Sequence, residues 1–312
     1  MAGLGRGGVR LKNGVARELA KHYDLYLLLV PAIIFYAVFC YVPMFGLVIA
    51  FKDFNIFKGI FGSDWVGLDN FRAMVNFPGF YEMIRNTLML NVLNLVFGFP
   101  APILLALMLN EVRSRYFKRF AQSLLYLPHF ISWIILSGII YNLLSPKYGI
   151  VGHVLEAMGL PSIYFMASEN WWVATFVGSG IWAGAGWGTI IYLAAMTAID
   201  PSLYEAAIVD GAGRFRKIWH ITLPGIMPTI VILLILNVGH LVSIGIEQVL
   251  ALQNPLVGGV AEVISTFVYN VGIKQANFSM TTAVGLIQSV INLALILSAN
   301  YFARRLGREG LW

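Results

Sequence analysis

The residues able to do chemistry in this 312-residue chain fall into three sets, the first of them defined by what is missing. There is no H-E-x-x-H run, no G-x-S-x-G run, and no glycine followed directly by lysine. A metalloprotease helix, a nucleophile elbow and a phosphate-cradling P-loop are therefore all excluded. The five histidines (His22, His129, His153, His220, His240) are scattered over separate segments and give no metal site. A lone Cys40 excludes an internal disulfide and a cysteine zinc site. The second set is polar but sits in apolar surroundings: Asn237, His240, Ser243, Glu247 and Gln248, then Gln288 and Asn292 four apart. Amides and a carboxylate of this kind suit hydrogen bonding to an uncharged polyol, with Trp133, Tyr141, Trp182 and Trp187 available as stacking platforms. The third set is Glu205-Ala206-Ala207, Asp210-Gly211, Phe215 and Leu223-Pro224, in a loop that also carries Arg214, Arg216, Lys217 and Trp219.

The elements that must position these residues follow from composition. Hydrophobic residues make up 59% of the chain and charged ones only 12%, half the usual share for a soluble domain. Too little polar surface remains for a water-soluble globule, which excludes a soluble enzyme and a nucleic-acid binder. The excess of base, net +6, belongs instead beside cytoplasmic headgroups. Six segments are long and apolar enough to span a bilayer: Leu25–Phe51, Thr87–Leu109, Ala121–Leu144, Trp171–Met196, Ile226–Leu250 and Thr281–Ala303. Only Glu247 among them is charged. Backbone groups in lipid must be satisfied within the segment, so the expected class is an all-α integral membrane protein of six transmembrane helices.

Basic residues set the orientation. Fifteen of the 21 lie in the N-terminal segment 1–24, the loops after spans two and four, and the tail 304–312; acidic residues divide evenly. Both termini and the loop 200–224 are therefore expected in the cytoplasm, around a membrane unit covering 25–303. The first span follows a basic leader without a small-x-small cleavage pattern and reads as a retained anchor.

At 100° per residue, a continuous fifth helix places His240, Ser243 and Glu247 on one face, with Asn237 and Gln248 on its flank. Polar residues in spans tend to face an aqueous path, although amides also serve as hydrogen-bonded joints between helices. Gly180, Gly184 and Gly188 form a doubled G-x-x-x-G expected to admit a close neighbouring backbone. Pro100, Pro102 and Pro128 should kink or end their helices.

Asp200 suits an N-cap and Pro201 a first helical position, so a short helix runs to Val209 and ends at Asp210-Gly211 with the glycine left-handed. A second segment, Ala212 to His220, puts Phe215 and Trp219 on one face. Such a pair of helices is something a cytoplasmic partner could grip. The bland alternative is an interfacial helix on anionic headgroups.

This loop resembles the EAA loop of binding-protein-dependent ABC importer permeases. Glu205-Ala206-Ala207, three residues, Gly211, nine residues, then Ile221-Thr222-Leu223-Pro224 meets every fixed position of E-A-A-x3-G-x9-I-x-L-P. The surrounding text, Asp200-Pro201-Ser202-Leu203-Tyr204, Asp210-Gly211-Ala212-Gly213 and the ending Gly307-Arg308-Glu309-Gly310-Leu311-Trp312, resembles the branch that carries oligosaccharides and polysaccharide fragments.

The resemblance implies a MetI-like permease fold in a bacterial inner membrane and a non-catalytic subunit. It implies a second related permease, two cytoplasmic ATPases that bind ATP and magnesium, an extracytoplasmic solute-binding protein, a carbohydrate substrate, and no cofactor on this chain. Glu205, Ala206, Ala207 and Gly211 would form the docking core of a coupling helix, with Asp210, Phe215, Leu223 and Pro224 around it. The long outer segments 52–86 and 251–280 would offer contacts to the binding protein. The competing reading is a stand-alone secondary transporter or channel for a small polar solute, which should carry ionisable residues near the midplane.

Overall fold

In the computed structural model the chain is described over residues 21–307 and 310–311. Arg6, Arg10, Lys12 and Arg17 of the expected N-terminal segment, and Arg308, Glu309 and Trp312 of the tail, lie outside the described residues. Among the described residues three helices are long and apolar enough to cross a bilayer: Tyr23–Phe51, Phe80–Glu111 and Phe278–Arg305. A fourth, Glu169–Thr197, runs 29 residues and joins Pro201–Val209 across a bend of 74°. These contain the first, second, sixth and fourth expected spans.

The first helix leans away from the rest. Every residue from Tyr23 to Phe45 is exposed, and its last turns, around buried Ala50, pack on the final helix. A short hairpin follows, with Lys52 paired to Trp65 and Asp53 to Asp64. In the second span Pro100 cannot donate a backbone N–H, and the helix answers with a widened π-turn over Asn94–Gly98 rather than a break.

Two expected spans are not single helices. The third is Arg115–Phe130 followed by Trp133–Leu143, at 105° to each other. Pro128 lies in the tight turn Leu127–Phe130, and Ile131 and Ser132 are extended. The fifth expected span, Ile226–Leu250, is corrected likewise: its helix runs from Met227 to Gly239, and a new helix starts only at Ile246. Thirteen residues rise about 20 Å, short of a roughly 30 Å hydrocarbon layer. Gly239 and Gly245 flank the break, and a Cβ on Gly239 would collide with Ile296 of the last helix. His240, Ser243 and Glu247 consequently do not share one helical face.

The break survives because side chains replace the lost helical bonds. Asn91 Nδ2 donates to the carbonyls of Leu241 (2.8 Å) and Ser243 (3.3 Å), and Gln288 Nε2 donates to that of Val242. Non-helical backbone at membrane depth is tolerated where such groups re-satisfy it.

The segment 251–280, expected as an outer loop, folds into two short helices, Pro255–Ala261 and Ile264–Lys274, bent by 117°. It supplies much of the core. Val257, Ala261 and Val263 pack with Leu90, Trp172, Phe176 and Leu252, while Ile264, Phe267 and Val271 pack with Met74, Phe80 and Val284. Asn86 Nδ2 donates to the carbonyls of Gly259 (2.9 Å) and Glu262 (3.0 Å), and Thr87 Oγ1 accepts from the Ile264 N–H (3.0 Å). A third cluster, Ala106, Tyr192, Met196 and Ile226, gathers where loop 200–225 attaches. Since lipid tails are as apolar as these side chains, close packing and hydrogen bonds, more than burial, hold such a bundle.

Candidate functional site

Loop 200–225 is a hook built by local rules. Asp200 caps its first helix, Oδ1 accepting the Ser202 N–H at 2.9 Å, with Pro201 at the first helical position. The backbone and hydroxyl of Ser202 hold the Asp200 carboxyl below the usual carboxylate range. At the other end Gly211 N–H donates to the Ile208 carbonyl (3.0 Å) and Ala212 N–H to that of Ala207 (2.8 Å). Gly211 takes a φ of +74°, so the chain reverses in a Schellman motif. Gly213 then starts a second helix at Arg214, which continues to Gly225 through a π-turn over Ile218–Thr222. The Tyr204 hydroxyl lies 3.0 Å from Thr222 Oγ1, and this bond ties the two limbs together.

The side chains expected to meet a partner stand outward. Glu205, Ala206, Asp210 and Gly211 are exposed, while Ala207 and Leu223 are half-buried and Pro224 is exposed beside the second limb. Phe215 is 89% exposed and Trp219 68%, and Val209, which sequence reasoning passed over, is 87% exposed. Glu205 makes no side-chain hydrogen bond or ion pair among the described residues. Large apolar side chains left exposed in the same loop as an unpaired carboxylate mark a surface that something covers.

The other set is dispersed by the broken spans. Ser243, Gln288 and Asn292 form one joint: Ser243 Oγ accepts from Asn292 Nδ2 at 2.8 Å and from Gln288 Nε2 at 3.2 Å. Asn237 donates to the Leu233 carbonyl of its own helix. His240 is exposed at the break. The Tyr141 hydroxyl and Trp172 Nε1 both donate to the Leu252 carbonyl, at 2.9 and 2.8 Å. Tyr141 also borders a separate cavity with Tyr164 and Phe165, and Trp182 lines an apolar crevice with Trp171.

Glu247, Gln248 and Trp133 do converge. They line a cavity of about 530 Å³ with Asn94, His129 and Ser132. The Gln248 amide is anchored to the Phe176 carbonyl (2.7 Å) and Ser179 Oγ (3.3 Å). Trp187 stacks on His129 with ring centroids 4.7 Å apart and planes within 3°. Asn94, Gly180 and Gly184 also line an adjoining cavity that reaches Asn237. The glycine stripe thus splits in use. Among the described residues no backbone approaches it as expected: Gly188 lies against the Pro102 ring and Gly180 against the Gln248 amide, whereas a Cβ on Gly184 would meet nothing within 4 Å; the close backbone, the Leu125 carbonyl, lies at Gly186 instead. His129 and Asn94 were legible only indirectly, as polar residues beside Pro128 and at the π-turn.

The profile of the family described as "Binding-protein-dependent transport system inner membrane component" matches residues 98–308. The polygalacturonan/rhamnogalacturonan transport system permease protein YteP of Bacillus subtilis is 48% identical over 95% of this chain and 92% of its own length. Protein LplB of the same organism is 45% identical over 92% of this chain and 91% of its own. Among solved structures, a chain of a bacterial alginate ABC transporter, in complex with a periplasmic protein bound to alginate pentasaccharide, superposes with a TM-score of 0.85. That chain shares 40% identity and is covered over 99% of its length, against 95% of this one. The long bent helices, the outward hook and these likenesses agree: the chain belongs to the inner-membrane permease subunits of binding-protein-dependent ABC importers, transport components with the MetI-like fold and not enzymes.

Proposed function

We propose that this chain forms half of the translocation pathway of an ATP-driven importer for oligosaccharides released from acidic polysaccharides. It pairs with a second permease, and hook 200–225 docks on one of two cytoplasmic ATPases, which hold the ATP and magnesium. An extracytoplasmic binding protein delivers the solute. Both termini and the hook face the cytoplasm. Closure of the ATPases pulls the hook, the pathway turns outward, and solute passes from the binding protein into the cavity beside Glu247 and Gln248. The substrate class is supported by a relative named for polygalacturonan/rhamnogalacturonan transport and by the alginate ABC transporter whose periplasmic protein holds an alginate pentasaccharide.

The observation that carries this reading is the hook itself: a hydrogen-bonded turn with exposed Glu205, Val209, Phe215 and Trp219. Glu205 is the natural partner for a basic or hydroxyl group on the ATPase. The secondary-transporter reading fits less well. Unwound carbonyls in such transporters coordinate ions, and here Asn91 and Gln288 occupy them. Measuring ATP hydrolysis by the reconstituted complex, with and without loaded binding protein, tests the proposal. Glu205→Ala is expected to remove the solute stimulation while leaving membrane insertion intact. Full stimulation in that variant would refute the docking role.

A further inference from the structure

We infer that Glu247 makes this subunit's wall of the pathway repel anions, so that a uronate passes with its carboxylates turned toward the partner permease and its uncharged faces toward this chain. The inference rests on the importer reading above and adds the orientation and charge preference of the solute. Glu247 is exposed and lines the 530 Å³ cavity, and among the described residues no lysine or arginine lines that cavity or the one adjoining it. Nothing on this wall neutralises a carboxylate that approaches it.

What the wall does offer suits the uncharged parts of a sugar. Asn94 and Ser132 present an amide and a hydroxyl, and the His129–Trp187 stack stands beside them. Gln248 is fixed by its bonds to the opposite helix, so its free carbonyl oxygen is held in place as an acceptor. The empty space over Gly184 leaves room for a ring to lie against the helix. Two like charges several ångströms apart in a partly hydrated cavity repel by about 1 kcal/mol, a factor of about five in relative rate. That is enough to orient a solute without excluding it.

The test uses the whole transporter in proteoliposomes at one fixed pH. Uptake of a galacturonate trimer is compared with that of its carboxyl-reduced, neutral counterpart. Glu247→Gln is expected to raise the charged-to-neutral uptake ratio three- to ten-fold, and Ser132→Asp, which adds an acid to the same wall, to lower it. An unchanged ratio in both variants, or a fall for both sugars together in Glu247→Gln, overturns the inference; the latter would mark a purely structural carboxylate at a helix start. If Glu247→Gln fails to assemble, the direction of the Ser132→Asp ratio decides. A wild-type complex that imports neither trimer would refute the substrate class instead, before any variant is made.

Discussion

The hook at 200–225 and the broken fifth span use the same kinds of residues to opposite ends. In the hook, polar side chains satisfy short-range needs within a few residues: Asp200 bonds Ser202, and Gly211 closes the turn on Ile208. Glu205 is left over, exposed and without a side-chain partner among the described residues. In the broken span the polar groups are spent on distant backbone. Asn91 reaches residues 150 and 152 positions away, and Gln288 reaches back 46. A polar residue in water with no local task is a better pointer to a partner than one in a membrane, where satisfying the backbone comes first.

The contrast can be broken most severely at Gly211. Proline there cannot adopt a φ of +74°, so Gly211→Pro should unfold the turn and reduce solute-stimulated ATP hydrolysis by ten-fold or more, with normal insertion. Wild-type coupling in that variant would mean the hook's shape is irrelevant. Next in size is Asn91→Leu, which strands the Leu241 and Ser243 carbonyls. Each stranded, partly buried group costs up to about 1–3 kcal/mol, so the detergent-solubilised complex should melt lower by a few degrees. An unchanged melting temperature would show that water serves the break as well as the amide does.

Tyr204→Phe should act more mildly. It removes the bond to Thr222, worth about 0.5–1.5 kcal/mol, and is expected to halve coupling by loosening one limb against the other, as read by hydrogen exchange in 201–209. The smallest effect belongs to Asp200. Its carboxyl lies below the ordinary range in the folded state, so its cap contributes fully above the unfolded value and is lost as pH falls through the folded one. Exchange at the Ser202 amide should therefore quicken on acidification relative to neighbouring amides. Asp200→Asn, a cap that does not titrate, should abolish that dependence.

How much of this was legible in the sequence follows the same division. The N-cap, the helix end at Val209 and the left-handed Gly211 all depend on neighbours in the chain and are read correctly from it. The long apolar helices are legible too, because length and composition alone demand them. Periodicity fails where tertiary contacts decide. Nothing local announces that Met227–Gly239 stops at Gly239, because the residues that make the break tolerable, Asn91 and Gln288, lie on other helices. The segment 251–280 reads as a loop since its apolar runs are short and interrupted by Glu262 and Lys274. It becomes core only when Asn86 and Thr87 satisfy the backbone at its central bend, at Gly259, Glu262 and Ile264. The cavity suffers doubly: Glu247 and Gln248 are visible as polar residues in a span, but His129 and Asn94 join them only through the bends at Pro128 and before Pro100.

The central claim is that a separate ATPase grips the hook, and cross-linking tests it most directly. Photo-reactive residues at Val209 and Phe215, in membranes containing the whole transporter, are predicted to yield adducts with the ATPase subunit whose amounts change on ATP binding, while the same label at Phe57 in the hairpin 52–65 yields none. Adducts from 209 and 215 to lipid alone, with or without ATP, would contradict the account.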